Sequence, residues 1–322
     1  MAQKEKLNPA IIDMKKWISE HGDYIVRGIT SDGGIRAFAA TTKNLVQEAQ
    51  DRHDTSPTAT AALGRLLTAG AMMGTMLKGA DDLVTIMMRG DGPMAGITVT
   101  ADSYGDVKGF VSNPQVWLPE KTKGHLDVGG AIGHGVLTVV RDQEFGEPYS
   151  SQVNLVSGEI AEDLTYYFAT SEQIPSSVGL GVLTGPGKQV RNAGGFIIQL
   201  MPGCTDETID KLEAKLKTVH SITEYLEKGM KPEDILNDIL GEFGLEILDT
   251  LPTQFYCNCS HERMSKALVT LGKKELNAMI DDGKPVTLSC QFCGRSYTFP
   301  VDELKEILKT AEASDKPDPG QQ

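Results

Sequence analysis

The chain has 322 residues, 40% of them hydrophobic and 23% charged, with 31 Lys and Arg against 44 Asp and Glu and a formal net charge of −13. That length accommodates about two domains and an ample core, while the acidic balance argues against a nucleic-acid partner, whose phosphates need a basic face. The opening residues hold no apolar leader, and no run approaches about eighteen uninterrupted apolar residues, so a cytoplasmic protein without a membrane partner is expected.

Residues 1–22 read as an N-terminal extension with a short helix. From Tyr24 to Thr41 two strand-like runs flank Ser31-Asp32-Gly33-Gly34, a hairpin turn. A helix is expected over LVQEAQDRH, and after Ser56-Pro57 a second one, ATAALGRLLTAGAMMGTML, whose small residues allow close packing against a sheet. LVTIMMRG, MAGITVTAD and VKGFVS, punctuated by Asp91-Gly92-Pro93 and Tyr104-Gly105-Asp106, form a β-meander. Leu126 to Val140 is glycine-rich and apolar and leads to a strand at SQVNLVSG. Helical periodicity returns in EIAEDLTYYFATSEQ, and the strands VGLGVLTG and GGFIIQLM bracket a turn at Gly185-Pro186-Gly187-Lys188. Short connections between neighbouring strands imply a mostly antiparallel sheet core with packed helices, an α+β domain over residues 23–202.

Residues 203–249 form a helical acidic linker. Ile209, Leu212, Leu216 and Val219 recur at helical spacing, Ser221 to Glu224 matches a capping box, and Pro232 followed by Glu233 and Asp234 opens another helix. Between residues 203 and 246 eleven Asp or Glu face five Lys, and Gly229, Gly241 and Gly244 interrupt the pattern. Such helices are marginal alone and need a surface to dock upon.

Residues 250–300 form a small C-terminal zinc-binding domain, and residues 301–322 a helix and flexible tail. Cys257 and Cys259 make a C-x-C, and thirty residues later Cys290 and Cys293 make a C-x-x-C. Four soft thiolates with tetrahedral geometry select zinc. Gly294 permits the tight turn of a zinc knuckle, whose backbone N–H groups point at sulfur. Structural disulfides are the rival reading, weakened by a reducing cytosol and by a chain long enough to fold without staples. A thiol oxidoreductase is a second rival, but its C-x-x-C sits at a helix N-terminus, whereas Cys290 follows the strand-like VTLS. A zinc-ribbon nucleic-acid binder is the alternative function, resting on Arg263, Lys266, Lys273 and Lys274. Cys204 reads as a small buried or half-buried hydrophobe, and Met72, Met73, Met76, Met87, Met88 and Met94 as core packing in preference to a binding surface.

No catalytic or cofactor-binding residue is expected. GPGKQ at 185–189 lacks the first glycine and the Ser or Thr of a P-loop; Gly129 to Gly135 matches no dinucleotide fingerprint; His261-Glu262 lacks the second histidine of H-E-x-x-H.

From about Tyr24 to Phe299 the chain resembles the redox-regulated holdase chaperones of the heat shock protein 33 family, also called 33 kDa chaperonin. The blocks that carry this are SPTATAALGRLLTAGAMMGTMLKG at 56–79, VSNPQVWLP at 111–119, EQIPSSVGLGVLTG at 172–185, AGGFIIQLMPG at 193–203, ILDTLPTQFYCNCSHERMSKALVTLGKKEL at 247–276 and the knuckle at 290–293. The resemblance implies that Cys257, Cys259, Cys290 and Cys293 hold one Zn2+ per chain in a reduced, inactive state. It implies that peroxide or hypochlorous acid, aided by unfolding heat, forms the disulfides Cys257–Cys259 and Cys290–Cys293, expels zinc and melts the switch domain. The linker then loses its anchor, and the freed apolar surface holds unfolding client proteins without ATP and protects them from aggregation. The oxidised form is expected to be a homodimer. A C-x-C pair suits closure into one disulfide, and Arg263, Lys266 and Arg295 are expected to favour the thiolates. The resemblance assigns no role to Cys204 or to the residues before Asp23.

Overall fold

A computed structural model describes residues 4–122, 124–143, 146–186, 189–219 and 221–314, so Gly187 and Lys188 of the expected turn and the expected tail at 315–322 lie outside the described residues. The chain divides into two compact units, Met1–Tyr256 and Cys257–Gln322.

In the first unit α1 (Met14–His21) precedes the hairpin β1 (Tyr24–Thr30) and β2 (Ile35–Thr41), followed by α2 (Lys43–His53) and α3 (Pro57–Gly74). Then come the meander β3 (Leu83–Gly90), β4 (Gly96–Asp102) and β5 (Asp106–Val111), the short α4 (Val128–Ile132), β6 (Gly135–Asp142), β7 (Tyr149–Asn154), α5 (Ala161–Thr170), β8 (Ser176–Thr184) and β9 (Val190–Leu200). Helices α6 (Asp206–Leu216), α7 (Ile222–Glu227) and α8 (Pro232–Leu240) lead to β10 (Leu245–Pro252) and β11 (Gln254–Phe255). Two sheets result, in the orders β10-β1-β2-β9-β8 and β11-β5-β4-β3-β6-β7. Pairing is antiparallel as expected, except that β11 runs parallel to β5, with Gln254 opposite Asp106. The glycine-rich stretch yields a strand the sequence did not announce: β6 pairs with β3 along its length. The glycines before it hold α4 against the end of β3, where Gly92 N donates to Ile132 O at 2.9 Å.

Helix α3 lies between the sheets, touching β8 and β9 of one and β3, β4 and β5 of the other. Ser56 caps it, Pro57 occupies its first turn, and every residue from Thr58 to Gly74 except Arg65 is buried. Its small residues are a spatial necessity, because a Cβ on Gly70 would come within 2.6 Å of Val99 Cγ1. Met72, Met73, Met88 and Met94 are buried and Met76 and Met87 half-buried, in line with core packing.

The five-stranded sheet is apolar on both faces. Ile25, Phe38, Ala40 and Ile197 are buried on one face. On the other, Tyr24, Val26, Ile35, Ala37, Ala39, Phe196 and Ile198 form one cluster with Leu212, Ile222, Leu226, Ile235, Leu236, Ile239 and Leu240 of the linker. The acidic helices therefore do dock on a surface, and the docking is uneven. Helix α6 buries only Leu212, whereas α8 buries Pro232, Ile235, Leu236, Ile239 and Leu240. At about 2 kcal/mol per buried aliphatic side chain, α8 is the anchor and α6 the loose end. Helix α7 comes close enough that a Cβ on Gly181 would lie 2.3 Å from Ile222 Cγ2. Tyr24 donates to Glu233 Oε2 at 2.9 Å, tying β1 to α8. Strand β10 then closes the sheet on β1, with Arg27 paired to Asp249 across the ladder.

Of the carboxyls buried in this unit, Asp23 and Asp106 are raised furthest. Asp23 accepts from Leu45 N at 2.7 Å, and burial, only partly offset by the amide N–H groups at the start of α2, raises it to about 7. Burial likewise raises Asp106 to about 7 against the hydrogen bonds from Gln254 and Leu7 N. A carboxyl raised on folding binds its proton more tightly in the folded state, so its contribution is largest below the unfolded value and is lost as pH rises through about 7. The thermal midpoint is expected to rise on acidification from about pH 7.5 to about pH 5.5. Asp23→Asn, which keeps an acceptor for Leu45 N, is expected to flatten that slope; a variant slope identical to the parent's would remove Asp23 as its source.

Candidate metal centre

The second unit consists of α9 (His261–Val269), α10 (Lys273–Asp281), the hairpin β12 (Val286–Ser289) and β13 (Ser296–Phe299), and α11 (Val301–Ser314). Its apolar core is small: Leu268, Leu276, Phe299, Leu304 and Ile307 are buried, with Met264, Leu288 and Tyr297 among the side chains packed around them. A core of that size leaves folding dependent on a further cross-link.

The C-x-C segment runs straight into α9, whose first turn is capped by Ser260 Oγ accepting from Arg263 N at 3.2 Å. The C-x-x-C segment is the turn between β12 and β13. Gly294 takes φ +70 there, a conformation that favours glycine, and its N–H donates to Cys290 O at 2.8 Å. Cys290 N donates to Arg295 O at 2.8 Å, closing the knuckle.

These two segments bring all four sulfurs within 4.8 Å of one another, and all four cysteines are buried. Cys257 Sγ lies 3.8 Å from Cys290 Sγ, and Cys259 Sγ lies 3.3 Å from Cys293 Sγ. A tetrahedral ion about 2.3 Å from each sulfur sets the sulfurs about 3.8 Å apart, so the donor set suits a zinc-sized ion. All five cysteines are free thiols, and Cys204 belongs to the other unit. There it is half-buried against the linker cluster, with its thiol pushed up by burial and by Asp32.

Cys257 and Cys290 titrate as a pair. The hydrogen bond from Cys257, helped by the backbone N–H groups of Phe292 and Cys293, pulls Cys290 well below the ordinary thiol range, and the same contact pushes Cys257 up. Of the three cations expected near the thiolates, Arg295 touches the cluster. It donates to Cys257 O at 3.1 Å and bonds to Cys293. Lys266 pairs instead with Glu262 at 2.8 Å, and Arg263 acts on the same carboxylate. Tyr297 was missed by sequence reasoning. Its hydroxyl lies 3.2 Å from Cys259 Sγ and 3.1 Å from Cys259 O. The available signal was its place on the strand that leaves the knuckle, three residues beyond Gly294. His261 stays outside the cluster, with Nδ1 3.3 Å from Glu303 and its ring against Phe299.

Residues 23–300 match the family model described as Hsp33 protein. The chain is 57% identical over 285 residues to the 33 kDa chaperonin of Agathobacter rectalis, covering 88% of this chain and 99% of that one. It is 55% identical over 286 residues to the 33 kDa chaperonin of Lachnoclostridium phytofermentans, covering 89% and 98%. The crystal structure of the 33 kDa chaperonin from Thermotoga maritima is similar with a TM-score of 0.83 at 38% identity, covering 92% of this chain and 100% of that one. Among the described residues no helix is long and apolar enough to cross a membrane.

Removing the Cys290 sulfur should abolish most metal retention, while removing the Tyr297 hydroxyl beside Cys259 should weaken retention by about tenfold, as loss of a group that orients a ligand does. Chelator competition on Cys290→Ser and Tyr297→Phe measures both. Equal retention by Tyr297→Phe and the parent would show that the Tyr297 contact carries no weight.

Proposed function

Because the chain belongs to the Hsp33 family, we propose that it is a cytoplasmic, redox-regulated, ATP-independent holdase chaperone that binds unfolding proteins and keeps them from aggregating under oxidative stress. The observation that carries this reading is the convergence of four buried thiols in a unit with little apolar core of its own. Cys257, Cys259, Cys290 and Cys293 are the ligands of one Zn2+ in the reduced, inactive state. When bound, zinc supplies the cross-link between the C-x-C segment and the knuckle, and its binding free energy is folding free energy.

Oxidation removes that donor set. Each disulfide takes two electrons from two thiolates and, with two protons from solvent, converts one peroxide to two waters, so closing Cys257–Cys259 and Cys290–Cys293 consumes two peroxides per chain. In the reduced arrangement sulfur contacts of 3.8 and 3.3 Å run between the pairs. Once the unit melts, chain proximity decides instead, and thiols one or two residues apart meet most often. What oxidation makes available is the apolar face of the five-stranded sheet together with the apolar faces of α6 to α8. The oxidised form is a homodimer. A nucleic-acid role gains nothing from charge, since residues 257–322 carry nine Lys or Arg against ten Asp or Glu.

The reduced chain is expected to hold one zinc and to leave a thermally unfolding test protein to aggregate. After peroxide with mild heat, zinc is released, four thiols are lost, suppression of aggregation appears, and peptide mapping finds the two bridges within the pairs. Full holding activity in the reduced, zinc-loaded chain, or bridges running mainly between the pairs, would overturn the scheme.

Linker release is testable without oxidant. Leu236→Asp places a carboxylate in the α8 contact at a cost of several kcal/mol. Partial holding activity is expected from the reduced variant, with its zinc retained and α6 to α8 open to protease. A variant whose linker opens while holding stays absent would separate linker release from client binding.

A further inference from the structure

Residues 4–22 lie outside the family match, which begins at Asp23, yet they are bonded to β5 and β11, 99 and 249 residues further along the chain. Leu7 is only 5% exposed, and its N–H donates at 2.9 Å to Oδ2 of the buried Asp106 on β5. The other oxygen of that carboxylate accepts from Gln254 Nε2 of β11 at 2.9 Å, and the same amide donates to Glu5 O at 2.9 Å. Lys6 reaches Asp102 at 3.6 Å and lies 5.1 Å over the Tyr104 ring, at the turn that leads into β5. Lys4 pairs with Glu48 of α2. Further on, α1 contacts β10, Met14 and Ile18 pack against the linker cluster, and Trp17 Nε1 donates to Asp23 O at 2.7 Å. The seat is not tightly filled, since a cavity of about 230 Å³ is lined by Lys4, Trp17, Asp23, Glu48, Gln254 and Phe255.

We infer that the surface formed by β5, β11 and the start of α2 is a recognition site for an extended basic-apolar peptide, occupied by this chain's own Lys4-Glu5-Lys6-Leu7, and that this occupant clamps β11 to the core. The chemistry is specific. A buried carboxylate needs two donors, and it takes one from the segment and one from the strand, so losing the segment leaves an acceptor oxygen unmatched. Besides the segment, the strand is held by the buried Phe255 ring under Arg52 of α2, by Thr253 Oγ1 donating to Gly105 O at 2.7 Å and by a short ladder. β11 is two residues long and bonds to β5 in parallel, with Gln254 N donating to Gly105 O at 3.2 Å and Tyr256 N to Val107 O at 2.9 Å. Tyr256 immediately precedes Cys257, so the clamp acts on the last core residues before the cysteine unit. The regulatory consequence rests on the chaperone reading: the segment sets how readily the end of the linker detaches once that unit melts.

The test uses the full reduced chain. Hydrogen exchange at the Tyr256 amide needs no oxidant, metal change or client, so its outcome is independent of whether the protein is a chaperone. Leu7→Asp and Gln254→Ala are each expected to speed exchange at Tyr256 by at least about tenfold, leaving the Thr42 amide, which donates to Ala193 O within the central sheet, unchanged. A synthetic peptide of residues 1–12 added in excess is expected to restore protection to Leu7→Asp, and the same peptide carrying the substitution is not. Unchanged exchange at Tyr256, equal acceleration at Thr42, or rescue by both peptides would overturn the recognition site. In a second arm, Leu7→Asp is expected to reach half-maximal holding at a lower peroxide exposure than the parent; an unshifted midpoint beside accelerated exchange would overturn the regulatory role alone.

Discussion

A sheet that is apolar on both faces is the constraint from which the first unit follows. One face of β1, β2, β9 and β8 is met by α2 and α3, which belong to the same stretch of chain and pack with small residues where space demands it. The other face is left to helices that arrive later and carry eleven acidic residues on the way. Those helices are stable only where they lie, because their apolar residues form a narrow stripe and short helices gain little by themselves. The cover of the sheet is therefore built from the least self-sufficient part of the chain, and the firmness of that cover is concentrated in α8.

The second unit poses the opposite problem. Its helices and hairpin bury few side chains completely, so what organises it is the meeting of a C-x-C entering α9 with a knuckle between β12 and β13. Arg295 at the end of the knuckle and Tyr297 on β13 hold backbone and sulfur of the first pair, so the two segments are fastened to each other by more than the thiols. Four buried thiols beside so small an apolar core give this unit groups that oxidants can attack, to which hydrocarbon is indifferent.

Where local sequence decides local structure, the sequence was a good guide. The turn at Asp32 to Gly34, the Ser56-Pro57 start of α3, the cap at Ser221 and Pro232 in the first turn of α8 all follow from side chains that act within three or four residues. The four clustered cysteines were legible for the same reason, since the pairs announce themselves by spacing. What escaped is non-local. GVLTVVRD is rich in β-branched residues but follows directly on the glycine-rich stretch, and its extent as β6 is set by pairing with β3. Leu245 to Phe255 gave no strand signal because β10 and β11 are defined by partners more than a hundred residues away. Tyr297 entered the site only because a hairpin places it beside Cys259. The N-terminal extension carried no motif, and its bonds to Asp106 and Gln254 depend on a carboxylate whose burial only the fold creates.

The pairing of β1 with β10 joins Tyr24 to Pro252, and this has a consequence for how the protein is made. β1 leaves the ribosome early, with one edge unpaired and its outer face bare, and its permanent neighbour follows more than two hundred residues later. At translation rates of about 5–20 residues per second, that interval is roughly 10–45 s. Throughout it the nascent chain presents an open strand edge beside an uncovered apolar face, the combination most prone to pairing with a neighbour on the same message. A protein whose finished form hides this surface so thoroughly must therefore pass through a stage in which it is itself in need of shelter.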